Sequence, residues 1–155
     1  MNYLLNMQEK FAKFPFGMQL FSRLVASKAP YFKTIKPQII ELRPDYMKAS
    51  MKKRIAVHNH LNTVHAIASC NLCEFTAGIC MEASIPKHRR WIPVGMKVDY
   101  LHKATTDLTA SCDLSGVEWE TVNEVLCKVT VSDMNDLVVV SAVIIMKVSD
   151  KTKKS

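Results

Sequence analysis

The 155-residue sequence predicts an α+β fold, with a curved antiparallel sheet wrapped around one long central helix and extra helices at the N-terminus. Three observations lead there. The stretch from Val64 to Ala83 is apolar nearly all the way round, as in a helix covered on most sides. After Pro86 the hydrophobic period changes from helical to two, in successive segments that read as half-buried strands. No internal repeat or linker divides the chain, so residues 1–155 read as one domain, long enough to bury a core without disulfides or metal. A sheet closed around a single helix satisfies this order of elements. A ferredoxin-like arrangement needs a second core helix among the later strands, where no helical period exists.

Residues 2–13 and 16–29 read as short amphipathic helices broken at Pro15 and Gly17, with Leu4, Phe11, Phe21 and Val25 among their apolar positions. They make an N-terminal helical extension over residues 1–33, which Pro30 and Pro37 close. Residues 38–43 and 46–55 look like two strands split by the turn Arg43-Pro44-Asp45. Val57 to Thr63 has loop chemistry, and Asn62 or Thr63 can cap the long helix. Val94, Met96, Val98 and Tyr100 then alternate with polar residues or glycine, as do the segments from Leu108 to Leu114 and from Val125 to Val131. Ser115-Gly116 and Asp133 to Asp136 supply turns. Leu137 to Met146 is apolar at nearly every position and predicts a central strand covered on both faces, which also favours an assembly of at least a dimer.

Charge and cysteine usage narrow the function classes. The net charge is +7, with Lys and Arg concentrated up to Lys103 and again from Lys147 to Lys154, and acids concentrated over residues 107–136. Basic surfaces suit anionic partners such as phosphorylated metabolites. No zinc-finger, RNA-binding or helix-turn-helix pattern is present, so nucleic acid is not expected as a partner. The apolar runs are too short or too polar for a membrane span, and the first residues lack a basic stretch leading into an apolar one, so a cytoplasmic protein is expected. Five cysteines, an odd number, fit reduced thiols. Cys70 and Cys73 form a CxxC with no second pair behind it, which favours core packing over a metal site; no metal is expected.

The loop and helix start read Asn59-His60-Leu61-Asn62-Thr63-Val64-His65-Ala66, with Glu74 following. This segment resembles the N-x-x-G-x-x-H-G-G stretch and helix carboxylate of hotdog-fold acyl-CoA thioesterases of the phenylacetate-degradation and 4-hydroxybenzoyl-CoA types. Asn59 and His65 match directly, and Glu74 falls at the carboxylate position. Lys97 to Ala104 is similar to the family's third strand. The resemblance covers roughly residues 35–148, the hotdog core; with its N-terminal helices the chain is similar to a poorly characterised, thioesterase-like branch. Three positions depart from the pattern. Asn62 stands at the first Gly and requires a left-handed backbone. Ala66-Ile67 replaces the Gly-Gly pair, and Gly78 stands where some relatives carry a hydroxyl, with Thr76 on another face.

The resemblance implies a thioesterase acting on an acyl-CoA or acyl-carrier thioester, without a cofactor, assembled as a homodimer or tetramer. The same chemistry can be argued from the residues. Thioester hydrolysis needs a donor for the carbonyl oxygen as it gains charge, and a carboxylate to attack or to activate water. The Ala66 amide at a helix N-terminus is a candidate oxyanion donor. Glu74, on an otherwise apolar helix, is the candidate carboxylate, or else the partner of a Lys or Arg from a neighbouring subunit. Asn59 either positions water or shapes the loop. His65 either acts as a base or bonds to backbone at the helix start. Asn62 and Thr63 are candidate substrate-binding residues. Lys87, Arg89 and Arg90 form either a solvated loop or a site for coenzyme A phosphates. Ala66 and Glu74 lie about 12 Å apart along one helix, so a shared site needs two subunits across a two-fold axis. A non-catalytic acyl-CoA-binding or regulatory hotdog module is the alternative, favoured by the lost Gly-Gly pair. A hydratase would pair an Asp with a His five residues later on this segment, and no such pair is present.

Overall fold

The structure, a computed structural model, describes residues 2–151; Lys153 and Lys154 of the basic tail lie outside the described residues. Helices α1 (Tyr3–Phe11) and α2 (Gly17–Lys28) open the chain, followed by a 3-10 turn over Pro30–Thr34. Asn2 caps α1 by accepting from the Leu4 amide at 2.8 Å. The chain reverses through Phe16, held left-handed at φ 59°. Gly17 then passes so close to the end of α1 that a Cβ there would lie 1.7 Å from the Phe11 carbonyl oxygen.

Six strands follow: β1 (Gln38–Arg43), β2 (Tyr46–Met51), β3 (Arg89–Tyr100), β4 (Leu108–Asp113), β5 (Glu124–Ser132) and β6 (Val138–Asp150). They form one antiparallel sheet in the order β1-β2-β4-β5-β6-β3. The long helix α3 (Ala66–Ser84) connects β2 to β3 and packs on the sheet, touching β2, β4, β5 and β6. Leu72, Cys73, Phe75, Ala77, Cys80 and Met81 are fully buried there. Alternate residues of β4 and β5 point at the helix, which is the period-two pattern read from the sequence. The N-terminal helices cover the opposite flank, α2 against β1 and α1 against both α2 and α3. No helix among the described residues is long and apolar enough to cross a membrane. The mixed architecture, one helix held by a six-stranded curved sheet, is the hotdog fold.

Two boundaries differ from the sequence reading. Strand β2 stops at Met51, and Ile55–Val57 is a 3-10 turn. Strand β3 begins at Arg89 rather than Val94, because Arg89 to Pro93 pair with Asp150 to Met146 across a bulge before Gly95. Within one chain, α3 covers one face of strand β6 and leaves part of the other half-exposed. Val140, Ala142, Ile144, Met146 and Val148 are buried, whereas Val143 and Ile145 on the other face are half-exposed. A single helix can cover a single face, and the outer neighbours of Ile145 are Leu126 and Gly95.

The longer β3 relocates Arg89. It does not sit in a solvated loop: its side chain is 4% exposed. Nη1 donates to the Trp119 carbonyl at 2.6 Å, Nη2 lies 3.5 Å from Asn123 Oδ1, and Nε lies 3.2 Å from Asp150 Oδ1, an ion pair whose angle falls short of a hydrogen bond. The guanidinium ties the start of β3 to the segment before β5, so it is not free to meet a phosphate. The cysteines are all free, with only Cys70 partly accessible. Burial, reinforced by the neighbouring Cys70, pushes the Cys73 thiol up to about 12. Cys80 and Cys112 are also raised, mainly by hydrogen bonding with neighbouring thiols, Cys112 for the one and Cys127 for the other, and then by burial.

Arg89→Ala should therefore cost about 1–3 kcal/mol of stability by leaving buried polar groups unpaired, read in urea unfolding, while Arg90→Ala stays within about 0.5 kcal/mol. Gly17→Ala should lower the thermal midpoint through an overpacking cost of about 1–3 kcal/mol, because the atoms in the way are backbone. A thiol-reactive dye at pH 8 should modify one cysteine quickly and the other four only on unfolding, since all four are buried away from the reagent. Cys70→Ser should abolish the fast phase; a second fast thiol would contradict the buried core.

Candidate active site

The loop before α3 is fixed by its own hydrogen bonds. Asn59 Oδ1 accepts from the amides of Leu61 at 2.9 Å and Thr63 at 3.1 Å, and its Nδ2 donates to Thr63 Oγ1 at 2.8 Å. Both polar atoms of the side chain are thus spent on shaping the loop. Asn62 is left-handed at φ 57°, the backbone that a residue standing in place of Gly requires. The Val64 amide donates to the Ala104 carbonyl at 2.9 Å, and the His65 amide to the Val57 carbonyl at 2.8 Å, pinning the helix start to the segment after β3 and to the 3-10 turn after β2.

The cap is His65, not Asn62 or Thr63. Its Nδ1 accepts from the Ile67 amide at 3.1 Å, and its carbonyl accepts from the amides of Ala68 and Ser69. Among the described residues the Ala66 amide has no acceptor, so it remains a free donor at the positive end of a 19-residue helix.

Ile67, Asn71, Glu74, Gly78 and Glu82 follow at intervals of three or four and share one face of α3, turned toward the N-terminal segment and, at Gly78 and Glu82, toward Trp91 of β3. Halfway along, Phe32 of the 3-10 turn packs edge-on against Phe75 with ring centroids 5.4 Å apart. On one side of it lies a groove of about 700 Å³ between α1, α2 and α3, lined by Leu4, Met7, Phe11, Leu24, Ile79 and Trp91. Glu74 opens onto this groove, half-buried, and among the described residues it makes no ion pair. The Trp91 indole donates to Glu82 Oε2 at 3.1 Å and lies over Gly78, where a Cβ would come within 3.1 Å of the ring. A hydroxyl side chain at position 78 would meet that ring. Thr76 is buried and bonds back to the Leu72 carbonyl.

On the other side lies a cleft of about 290 Å³ lined by His58, His65, Ile67 and Asn71, among others. Buried His58 Nε2 and Asn71 Oδ1 have no hydrogen-bond partner there among the described residues. Cys70, on the flank between Ala66 and Glu74, lies 3.0 Å from the Tyr100 hydroxyl; that hydrogen bond is the main cause holding Tyr100 up at about 12. Beyond the far end of α3, Lys87 and Arg90 are exposed beside Lys151, around a cleft of about 540 Å³. No three His, Cys, Asp or Glu among the described residues are placed to share a metal ion.

One chain therefore gathers Asn59, Asn62, Thr63, His65 and Ala66 at the start of α3, and sets Glu74 about 12 Å further along the same helix. Lys87 and Arg90 lie past its other end, and Arg89 is taken into the core. Sequence reasoning missed Trp91 and the part α1 and α2 play as walls of the groove. Their extra apolar positions, such as Leu24, which stays 40% exposed, were the available signal. Tyr100, expected on the apolar face of a half-buried strand, is exposed, and its hydroxyl contact with Cys70 has no sequence pattern.

A family described as a domain of unknown function, DUF4442, matches residues 17–148. A structural-genomics target, APC5556, is 40% identical over 96% of this chain and 99% of its own, with a TM-score of 0.85. A Pseudomonas aeruginosa protein of unknown function, described as a probable thioesterase, shares 17% identity over 89% of this chain and 97% of its own, at a TM-score of 0.77. A thioesterase from Haemophilus influenzae shares 12% over 89% and 94%, at 0.74. At those identities the last two are similar in fold. A search of the curated proteins finds no match. The family match spans most of the sequence, from the start of α2 to the end of β6, and on that footing the chain belongs to the DUF4442 family.

Proposed function

We propose that this protein is an acyl-CoA thioesterase, hydrolysing an acyl thioester at a site shared by two subunits. The observation that carries the reading is Glu74, an unpaired carboxylate opening onto an apolar groove, on the same helix whose first amide is a free donor. Similar folds named as thioesterases support the reaction class. In this reaction Glu74 either attacks the thioester carbon or takes a proton from the attacking water. The carbonyl oxygen gains charge and is stabilised by the Ala66 N–H at a helix N-terminus. The carrier leaves as a thiol, and no cofactor is called for.

The separation of Ala66 from Glu74 requires that they come from different subunits, since donor and carboxylate must each lie within about 3 Å of the reacting atoms. Strand β3 is the natural contact. It is a 12-residue edge strand with exposed Ile92, Val94, Met96 and Tyr100, and an unpaired edge of that length is a pairing surface. A two-fold axis there sets the two α3 helices antiparallel, with Glu74 of one beside the start of the other. The basic end of one helix, Lys87 and Arg90, then lies near the partner's helix start and supplies charge for the carrier's phosphates. His58 and Asn71 supply polar partners for the carrier arm. Outer apolar residues such as Leu126 leave room for a tetramer, and the free thiols suit the reducing cytoplasm.

The second reading, a non-catalytic acyl-CoA-binding module, is favoured by Ile67, 53% exposed at the helix start where the Gly-Gly pair would let a thioester approach. Glu74→Gln should keep the fold and acyl-CoA binding while lowering turnover by about 10² or more. Ala66→Pro removes the N–H at the first helical position, where Pro is well accepted and His65 already has an extended backbone. Both variants should be inactive alone, and dimers containing one of each, with their composition confirmed by native mass spectrometry, should recover one competent site. Mixed dimers without activity would sink the shared site. Wild-type protein that binds a panel of acyl-CoAs but releases no thiol would establish the binding module instead.

A further inference from the structure

We propose that the groove beneath α1 and α2 holds the acyl half of the substrate, and that this half is an aliphatic chain of intermediate length. The proposal rests on the reading of Glu74 as the carboxylate that meets the thioester, and it adds the substrate class and the part of the protein that selects it. The selecting part is the N-terminal helical extension.

Position is the first argument. Glu74 opens directly onto the groove. Whatever is bonded to the acyl side of the carbonyl carbon continues from a point within about 3 Å of the reacting atoms, so the groove is where a chain can go without leaving protein.

Chemistry is the second. Leu4, Met7, Phe11, Leu24, Ile79 and Trp91 present hydrocarbon or aromatic surface. Of the charged residues beside Glu74, Glu82 is engaged by the Trp91 indole, and Lys28 stands at the end of α2. A carrier arm bears amides, and burying amides on such walls without partners is costly. A hydrocarbon chain has no such requirement.

Shape is the third. Along α1 the groove is lined from Tyr3 to Phe11, a rise of about 12 Å at about 1.5 Å per residue. An extended chain of carbon–carbon bonds near 1.5 Å advances roughly 1.3 Å per atom, so about ten carbons span that length. The volume, about 700 Å³, lies in the range of small-molecule sites, and an acetyl group would leave most of it to water. Trp91, anchored by Glu82 and seated over Gly78, stands at the end of the groove next to the basic cleft. The roof is fixed by the close approach of Gly17 to Phe11. Chain length is thereby set by elements outside the sheet-and-helix core.

The test uses full-length protein and non-hydrolysable S-alkyl thioethers of coenzyme A, with chains of two to sixteen carbons, titrated calorimetrically. Affinity should rise about fourfold per added methylene, then level off near ten carbons. Leu24→Trp, at a half-exposed position on the groove wall, should move the plateau to shorter chains and leave the shortest ligand unaffected. Met7→Trp serves the same purpose should the first variant misfold. A flat series in wild type would overturn the proposal, as would a plateau that neither variant moves; loss of affinity only on truncating the carrier arm would assign the groove to that arm. A rising, variant-sensitive series in a protein that hydrolyses no acyl-CoA would uphold the groove while the hydrolase reading fails.

Discussion

The burial of α3 governs the rest of the molecule. A 19-residue helix whose apolar residues run nearly all the way round cannot lie on a surface. Leu72, Phe75 and Met81, each fully buried, contribute about 1.5–3 kcal/mol apiece, and they demand a sheet that bends around them. The sheet reaches only part of the circumference. The remaining flank carries Glu74, Gly78 and Glu82, and it is the flank the N-terminal helices approach. A polar residue on the covered side is tolerated because it bonds back along the helix, as Thr76 does to the Leu72 carbonyl. Glu74 has no such partner among the described residues, and its place is the one strip of the helix where a carboxylate can stay half-exposed.

The helix start obeys a second constraint. A buried helix needs its first amides satisfied or aimed at something. His65 satisfies one with its ring and two with its carbonyl, and the loop that places it is held by Asn59 and by the left-handed Asn62. What remains is a single free amide, at Ala66. Loop shaping and chemistry are therefore linked: Asn59 acts at a distance by deciding which amide is left over.

Much of this was legible in the sequence, for identifiable reasons. The strand alternation from Leu108 onward and the unbroken apolar stretch of α3 are periodic over many residues, and periodic signals survive tertiary context; at Val94, Met96 and Tyr100 the expected alternation fails, because β3 is an edge strand and these side chains stay exposed. The need for a left-handed residue at 62 follows from sterics and could be read from one position. The cap was misplaced because His is a weaker cap former than Asn or Thr, and the choice was made by the His65–Val57 contact, which no local pattern encodes. Arg89 was misread for a similar reason. A run of Lys, His and Arg looks solvated, and only the pairing of β3 with the end of β6 turns one member inward. The groove was invisible because it forms where segments some seventy residues apart meet along α3.

The position of β3 has a consequence for how the chain reaches this state. Strands β4, β5 and β6 are successive neighbours and can pair soon after they meet. Strand β3 precedes them yet docks on the far side of β6, with Arg89 opposite Asp150 and Tyr100 opposite Val140. That pairing closes loops of some forty to sixty residues, and non-local pairing of this kind slows folding. Until it happens, the connection from α3 onward is free at one end, and the most apolar helix of the molecule waits against an unfinished sheet. Early on, the α1–α2 pair, joined by local contacts alone, is the element placed to shield it from other chains.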